Sequence, residues 1–353
     1  MKIGFVIGSL SMGGAERVVI RLTKALIDKG HQVFIYTTLK YRENEYDKPE
    51  GAIRRHCYCE NKLCIPSKMR AFMKKDSINC AIIMGRPLCI FGMPALLGTQ
   101  IPIIVSERSA PQNAHMKATV RILSNQLMKF ADAYVFQTHD VKSYFCRRIR
   151  KSSVVIPNPI VAEELPQLFE GDRRFCIVAV GRLVPEKNYR LLIDAFEIFH
   201  KRFPKYILEI FGEGKERVSI ENAIVEKKMQ DIVLLKGQCS DVLEQVNSAA
   251  MYVMCSDFEG MPNALLEAMA IGLPVISTDC PCGGPRELIK SNNNGQLVPV
   301  GDVEALVAAM VFYAENQQEA NRYGSNAIRV RDSFSIVNIV QKWGNTIEKV
   351  IRS

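Results

Sequence analysis

A regular alternation of short apolar runs with amphipathic segments constrains the fold of this chain more than any other feature. Strand-like runs occur at 3–8, 32–38 and 80–85. Between the first two, residues 15–29 carry apolar side chains at helical spacing and end at Gly30, a residue typical of the end of a helix. Continuously apolar strands separated by helices predict a parallel sheet with helices on both faces.

The alternation restarts after a proline-rich segment. Residues 157–172 contain three prolines and a glycine without a sustained period, and a second set of strand-like runs begins at 175–181. We therefore expect an α/β protein of two doubly wound, Rossmann-like domains that face a cleft, 1–165 and 166–333. The remaining residues, 334–353, predict a C-terminal helix that packs back on the first domain.

Composition and charge narrow the class of protein. A chain of 353 residues with 48% hydrophobic and 24% charged residues is typical of a globular protein, and this excludes disordered, collagen-like and coiled-coil classes. Residues 1–165 carry 25 lysines and arginines against 13 acids, whereas the rest of the chain carries 21 against 24. The surplus indicates that the first half faces nucleic acid, a membrane surface or a phosphorylated substrate, with a merely solvated basic surface as the alternative.

Cysteine usage indicates the compartment. The 11 cysteines are an odd number, lie mostly in apolar runs and show no C-x-x-C spacing, which favours reduced thiols in the cytoplasm. The apolar run at the start has no cleavage site of the A-x-A type, so no leader is expected. No run of roughly 18 apolar residues occurs, so no transmembrane segment is expected either.

The loops after the strands are the places to search for function, because ligands of open α/β sheets bind beyond the carboxyl ends of the strands. Gly13 and Gly14 follow the first strand and precede a helix, where backbone N–H groups can approach an anion; a tight turn is the alternative. Their spacing fits neither the dinucleotide fingerprint nor the P-loop. Arg182 and Lys187 follow the first strand of the second set and suit a diphosphate, with plain surface charge beside a helix start at Asn188 as the alternative.

The stretch 256–278 is the most informative. Glu259 lies in a Gly-Met-Pro-Asn loop, and Glu267 lies eight residues later in the following helix. One carboxylate could bind the paired hydroxyls of a ribose and the other a sugar. Asp257 and Glu259 also form a D-x-E pair of the kind that a metal-dependent transfer site would use. Because the two strand-end cations could supply the positive charge instead, we expect no metal and no other cofactor.

These motifs together resemble a known family. The segments GGAER (13–17) and GRLVPEKN (181–188), with the E-x7-E motif from Glu259 to Glu267, are similar to those of the retaining glycosyltransferases with the GT-B fold. The resemblance covers nearly the whole chain, through NGQLVPVGD (294–302). The stretch FEGMPNALLEAMA is most similar to enzymes that extend lipid-linked oligosaccharides with hexose or N-acetylhexosamine from UDP-sugars.

The resemblance implies roles for matching positions. Arg182 and Lys187 would hold the donor diphosphate, Glu267 would bind the ribose hydroxyls, and Glu259 would contact the donor sugar; the first two and Glu259 would be the catalytic residues. Further residues expected around the nucleotide sugar are Gly14, Gly212, Gln238, Gly260, Met261, Pro262 and Asn263.

The acceptor side departs from the family pattern. Many members carry a histidine after the strand that corresponds to 101–106, whereas this chain reads SERS there. Glu107 and Arg108 therefore become acceptor-side candidates, and His115, further on, is expected to be a surface residue. The residues expected on the acceptor side are Gly13, Arg17, Glu107 and Arg108.

The basic first half gains a use from this resemblance. Segments 66–75 and 142–151 are basic and amphipathic, so they could lie at an anionic bilayer; a packed helix with a solvated basic face is the alternative. A polyprenyl-diphosphate-linked acceptor predicts peripheral association with the inner face of the cell membrane. A nucleotide-sugar epimerase of the same fold remains the alternative function. Nucleic acid is not expected as a partner, because no helix-turn-helix, RNA-binding or zinc motif occurs.

Overall fold

The computed structural model describes residues 1–11, 13–43, 45–108 and 117–352. The chain divides into two compact units. Unit 1 comprises Met1–Pro159 with Phe334–Ser353, and unit 2 comprises Ile160–Ser333. The division falls after Pro159, inside the proline-rich segment, whereas the sequence predicted a boundary after residue 165.

Unit 1 is built on a parallel sheet, which has seven strands among the described residues, in the order β3-β2-β1-β4-β5-β6-β7. The strands are β1 Lys2–Ile7, β2 Gln32–Thr37, β3 Ile53–His56, β4 Cys80–Met84, β5 Ile103–Glu107, β6 Ala133–Phe136 and β7 Ser153–Val155. The helices of this part are α1 Gly14–Asp28, α2 Ile65–Asp76, α3 Cys89–Leu96, α4 Ala118–Leu127, α5 His139–Tyr144 and α6 Arg147–Lys151. The central strands are buried on both faces, as a parallel sheet between helical layers requires.

One strand, β3, was not predicted from the sequence. It pairs in parallel with β2 at the edge of the sheet, where Phe34 lies opposite Ile53. Its sequence, Ile-Arg-Arg-His, has no apolar alternation, because an edge strand leaves much of its surface to solvent. Arg55 of this strand pairs with the buried Asp76 of α2 at 2.5 Å, and this contact ties α2 to the edge of the sheet.

Unit 2 repeats the architecture with a parallel sheet of six strands, in the order β10-β9-β8-β11-β12-β13. Its strands are β8 Arg174–Val180, β9 Ile207–Phe211, β10 Val233–Gly237, β11 Ala249–Met254, β12 Val275–Thr278 and β13 Gln296–Val298. Its helices are α7 Tyr189–Arg202, α8 Arg217–Glu226, α9 Val242–Val246, α10 Asn263–Ala270, α11 Gly284–Leu288, α12 Val303–Glu315, α13 Gln317–Ala327 and α14 Val330–Ser333. Two doubly wound parallel sheets confirm the predicted fold class.

The last helix, α15 Ile336–Arg352, belongs to unit 1 and packs against α1. It buries Ile339, Trp343 and Ile347, which lie four residues apart on one face, in the same core as Leu22 of α1. Packing of this stripe explains why the chain returns to unit 1 after completing unit 2.

All 11 cysteines lie in the described part of the chain and are free thiols. No helix among the described residues is both long enough and apolar enough to cross a membrane.

Candidate active site at the strand ends

Each sheet contains one point where the order of strands reverses. In unit 2 this point lies between β8 and β11, so the loops that follow these two strands diverge and leave a crevice at the carboxyl edge. Lys187 in the loop after β8 forms an ion pair with Glu259 in the loop after β11. Their side chains remain 16% and 18% exposed. The fold thus brings together two motifs that lie about 70 residues apart in the sequence, at the place where such sheets bind ligands.

Close backbone packing holds the loop after β8. Gly181 N–H donates to the Phe211 carbonyl at 2.9 Å, and Leu183 N–H donates to the Glu213 carbonyl at 2.9 Å. Gly212 has a φ of 139°, and a Cβ at this position would lie 1.9 Å from the Gly181 carbonyl oxygen. Only glycine permits this approach, so Gly212 helps to position the loop after β8. Its role in nucleotide binding stays a prediction.

Two side chains of the loop after β8, those of Arg182 and Asn188, differ in their contacts. Arg182 is exposed and has no side-chain hydrogen bond or ion pair among the described residues. Asn188 adopts the left-handed conformation (φ 47°), caps α7 by accepting from Leu191 N–H at 3.3 Å, and donates to Asp257 Oδ1 at 2.8 Å. Asn188 therefore links the two loops of the crevice, a role beyond the helix start that its sequence position suggested.

The loop after β11 is supported from the next strand. Ser256 Oγ donates to Glu259 Oε1 at 3.3 Å, and the Ser256 carbonyl accepts from Thr278 Oγ1 at 2.6 Å. Glu259 N–H donates to the Pro281 carbonyl at 3.3 Å. The carboxylate and the backbone of Glu259 are both held before any ligand arrives.

Gly284, which was not predicted as a site residue, supports the same loop. A Cβ on Gly284, at the start of α11, would lie 1.7 Å from the Gly260 carbonyl oxygen. Gly260, Met261 and Pro262 are buried under this contact, and Pro262 precedes the first residue of α10, Asn263. The repeated glycines of the CGGPREL segment were the available clue, but a glycine pair alone does not reveal which backbone it meets.

Glu267 lies in the second turn of α10 and is buried.

Gln238 follows β10 and is exposed, and the carbonyl of the preceding Gly237 accepts from Gly212 N–H at 2.8 Å. The loops after β8, β9 and β10 are therefore joined by backbone hydrogen bonds along one edge of the sheet.

Two buried groups near the Lys187–Glu259 ion pair, the Cys255 thiol and the Tyr189 hydroxyl, are neutral. Cys255 Sγ donates to the carbonyls of Lys187 and Asn188 at 3.5 and 3.2 Å, and burial raises the pKa of this thiol to about 12. The Tyr189 hydroxyl donates to the Gly181 carbonyl at 3.0 Å, and burial raises its pKa well above the ordinary value. Both groups stay protonated at neutral pH, so they add no charge to the crevice.

Metal ligands are not assembled in the described part of the chain, which contains no group of three or more His, Cys, Asp or Glu side chains able to hold an ion. Within the D-x-E pair, Asp257 accepts from Asn188 and Glu259 pairs with Lys187. That the reaction needs no metal stays a prediction.

The corresponding edge of unit 1 carries the glycine pair. Gly13 caps α1 and Gly14 is its exposed first residue. A Cβ on Gly13 would lie 2.3 Å from Glu16 Oε2, so the carboxylate of Glu16 already lies over the start of the helix. Arg17 Nε donates to the Tyr46 hydroxyl at 3.4 Å. An anion at this helix start would meet the Glu16 carboxylate as well as the backbone N–H groups.

Glu107 at the end of β5 is not a surface group. Its Oε2 lies 3.2 Å from Arg86 Nε, and both side chains are fully buried. Arg108 donates to Asn158 Oδ1, which also accepts from Gln137 Nε2 at 2.8 Å. Burial lowers the pKa of the Arg108 guanidinium to about 10, against the opposing effect of Glu107. The structure thus places Glu107 in a buried ion pair and the half-buried Arg108 in a polar network with Asn158 and Gln137; Ser109 and His115 lie outside the described residues.

The two basic amphipathic segments pack inward. Met69 and Met73 of α2 are buried, and Phe72 lies under the Arg55 guanidinium. Phe145 and Ile149 in the second segment are buried as well. These apolar side chains lie in the core of unit 1, which favours the alternative of packed helices with a solvated basic face; association with a bilayer stays a prediction.

Comparison with protein families identifies both units. Residues 12–164 match the Glycosyltransferase Family 4 model, and residues 161–330 match the model of glycosyl transferases group 1.

Related proteins span the full length of the chain. An uncharacterised glycosyltransferase of Haemophilus influenzae is 25% identical and covers 97% of this chain and 98% of its own length. The GalNAc-alpha-(1->4)-GalNAc-alpha-(1->3)-diNAcBac-PP-undecaprenol alpha-1,4-N-acetyl-D-galactosaminyltransferase of Campylobacter jejuni is 26% identical, with 99% of each chain covered.

A solved structure has the same fold. Anabaena Alr3699/HepE in complex with UDP gives a TM-score of 0.85 at 19% identity, with 99% of this chain and 100% of that chain covered. This likeness shows that the chain has the GT-B fold. The two family models together span residues 12–330, and they show that the chain belongs to the glycosyl transferases group 1 family, with a Glycosyltransferase Family 4 domain.

Proposed function

We propose that this glycosyltransferase moves a hexose or N-acetylhexosamine, with retention, from a UDP-sugar to a polyprenyl-diphosphate-linked glycan. The observation that carries the proposal is the meeting of Lys187 and Glu259 at the β8/β11 crevice, beside the exposed Arg182. Two cations and a held carboxylate at one strand edge suit a donor that is anionic at its diphosphate and rich in hydroxyls at its sugar.

Each group has a task in this proposal. Arg182 and Lys187 bind the diphosphate and stabilise the charge that grows on it as the bond from the anomeric carbon to the phosphate oxygen breaks. Lys187 has three N–H donors, so it can contact a phosphate while keeping Glu259 as a partner. Glu259 accepts from sugar hydroxyls, and Glu267 accepts from the ribose.

The remaining proton needs no protein base. The acceptor hydroxyl forms the new bond to the anomeric carbon on the face that the phosphate leaves, and its proton passes to the leaving phosphate oxygen. Attack from the leaving-group face retains the anomeric configuration. The N–H groups at the start of α10, near Asn263, supply a further positive field for the phosphates.

The acceptor class is supported by the activities of related proteins. A second Campylobacter jejuni protein, N-acetylgalactosamine-N,N'-diacetylbacillosaminyl-diphospho-undecaprenol 4-alpha-N-acetylgalactosaminyltransferase, is 26% identical and covers 96% of this chain and 97% of its own length. The proposal extends this acceptor class to the present chain, and it places the enzyme in the cytoplasm at the inner face of the cell membrane, where its basic first half would meet anionic lipid. The assembled glycan would serve a cell-surface polysaccharide or a glycoprotein.

The test is a panel of UDP-sugars incubated with the protein, with and without a membrane lipid extract, and read by mass spectrometry. We expect one UDP-hexose or UDP-N-acetylhexosamine to be consumed in the presence of extract, with a matching mass gain on a lipid-linked glycan. Nuclear magnetic resonance of the new linkage is expected to show the donor's anomeric configuration. Conversion of the UDP-sugar without any acceptor would instead support the epimerase, and an inverted linkage would refute retention.

A further inference from the structure

An apolar groove lies on unit 1, outside the strand-end crevices. Helices α2, α3 and α4, with the turn before α2, enclose about 570 Å³. Leu63, Ile90, Phe91, Pro94 and Leu123 line this space, and Lys62 and Arg70 stand beside them. We call this surface the basic groove. Leu63 is 85% exposed and Leu123 is 51% exposed, so two large apolar side chains meet solvent at its sides.

The two charged residues that line the basic groove, Lys62 and Arg70, are both cations. The helices α2, α3 and α4 carry a single carboxylate, Asp76. That carboxylate is buried and accepts from Tyr36 and Arg55, so it does not offset the cations at the surface. An exposed apolar patch beside two cations is typical of an interaction site rather than of a surface that meets only water.

Unit 2 offers a matched surface of opposite character. A groove of about 560 Å³ between α7 and α12 is lined by Ile198, Val307 and Phe312. Its charged lining residues are Glu304, Glu315 and Arg202, and Arg202 is paired with Glu315. The two grooves have nearly equal volume and similar apolar character, so their charge is what distinguishes their partners.

We infer that the basic groove is the surface through which this protein docks on an anionic bilayer. Leu63 and Leu123 enter the boundary between headgroups and acyl chains, while Lys62 and Arg70 contact lipid phosphates. The inference rests on the proposed function, since a lipid-linked acceptor would be met at the membrane. The apolar faces of α2 and of the segment 142–151 are packed in the core. The membrane contact therefore lies at the groove between α2, α3 and α4 instead.

Vesicle co-sedimentation tests this docking. The full chain is mixed with vesicles of phosphatidylglycerol and phosphatidylcholine in equal parts, or of phosphatidylcholine alone. We expect wild type to bind the anionic vesicles and to bind less at high salt. The double variant Leu63→Asp with Leu123→Asp is expected to lose at least about tenfold in partitioning, because two apolar insertions are replaced by repelled charges.

Two further variants sharpen the result. Ile198→Asp places one such charge in the groove of unit 2, where the side chain is 48% exposed, and this variant is expected to bind vesicles like wild type. Lys62→Glu leaves every leucine in place and is expected to weaken binding to anionic vesicles. Equal melting temperatures of all variants establish that the fold is retained, as the exposure of Leu63 leads us to expect.

Several outcomes would overturn the inference. These are no vesicle binding by wild type, equal losses in the Leu63/Leu123 and Ile198 variants, or a changed oligomeric state of the Leu63/Leu123 variant with unchanged vesicle binding, which would make the groove a contact between copies. UDP binding, measured by calorimetry on the same samples, separates this from the proposed function. Wild type that binds UDP but no vesicles contradicts the docking alone, whereas wild type that binds vesicles but no UDP contradicts the proposed function alone.

Discussion

Two ion pairs at the strand ends of the two units show how burial separates a structural pair from one that can exchange partners. Arg86 and Glu107, beyond β4 and at the end of β5, are fully buried. Lys187 and Glu259, beyond β8 and β11, keep about a sixth of each side chain in contact with solvent. Breaking the first pair leaves a charge inside the protein, whereas water or a ligand can replace either partner of the second.

Position in the sheet agrees with this difference. The Lys187–Glu259 pair spans the point where the strand order of unit 2 reverses, and the Arg86–Glu107 pair joins neighbours on one side of the reversal in unit 1. A crevice opens only at the reversal. We conclude that Glu107 stabilises unit 1 from within, and that the acceptor-side role predicted for it would act through the network that it holds.

The largest expected effect is on the stability of unit 1. Glu107→Gln is expected to lower the free energy of unfolding by about 3–5 kcal/mol, because Arg86 is left buried without its counter-charge. Urea denaturation with the slope held in common measures the change. Glu259→Gln is the matched control and should cost only about 1 kcal/mol. Equal losses in the two variants would remove the distinction between the pairs.

The next effect is on turnover. Arg182→Ala and Lys187→Ala are each expected to reduce turnover about 10²–10³-fold, with the fold unchanged, because each removes one charge that stabilises the departing diphosphate. Initial rates with the active donor measure the loss. Lys201→Ala, at the far end of α7 and largely exposed, should behave like wild type. Near-normal rates in both site variants would refute the proposed donor site.

A third prediction concerns the support of the Glu259 loop. Gly284→Ala is expected to destabilise the protein by about 1–3 kcal/mol and to lower turnover, because the new methyl group would push against the Gly260 carbonyl. Gly344→Ala is the control: it lies inside α15 with open space around it and should stabilise by roughly 0.5–1 kcal/mol. Unchanged melting and rates for Gly284→Ala would show that this contact does not position the loop.

The smallest effect concerns Asp76, a buried carboxylate whose partner Arg55 is partly exposed. Burial raises the pKa of Asp76, but hydrogen bonds from Arg55 and Tyr36 outweigh it, and the pKa lies below the ordinary value of 3.8. A lowered pKa in the folded state stabilises the protein above the unfolded pKa, and this stability is lost as the pH falls through the folded pKa. Asp76→Asn should therefore cost roughly 1.5 kcal/mol at neutral pH. The difference from wild type should shrink below about pH 4 in thermal melts; a cost independent of pH would refute the ionic contribution.

Much of the fold could be predicted because its determinants are local. Apolar runs such as 3–8 and 175–181 become buried central strands, and the segment 15–29, with its helical spacing, becomes α1. The edge strand β3 escaped because its residues are polar and its pairing with β2 is not encoded in a local period.

The residues of the candidate site could be predicted from the sequence, but the contacts between them could not. Strand-end position alone pointed to Arg182, Lys187 and Glu259. Their meeting depends on β8 and β11 being neighbours, which follows from the strand order of the whole sheet. The supporting contact of Gly284 with Gly260 is equally non-local.

The sequence by itself determined the alternation of strands and helices, the restart after the proline-rich segment and the chemistry of the strand-end loops, because periodicity and turn residues act over a few positions. Only the tertiary structure decided that Glu107 is buried against Arg86, that Lys187 pairs with Glu259, and that the apolar face of α2 meets the core. An amphipathic pattern indicates that one face of a helix is apolar, but it does not indicate which segment covers that face. A charged residue type likewise does not indicate how deeply its side chain is buried. Burial and pairing arise from contacts between distant segments, which exist only once the sheets have formed.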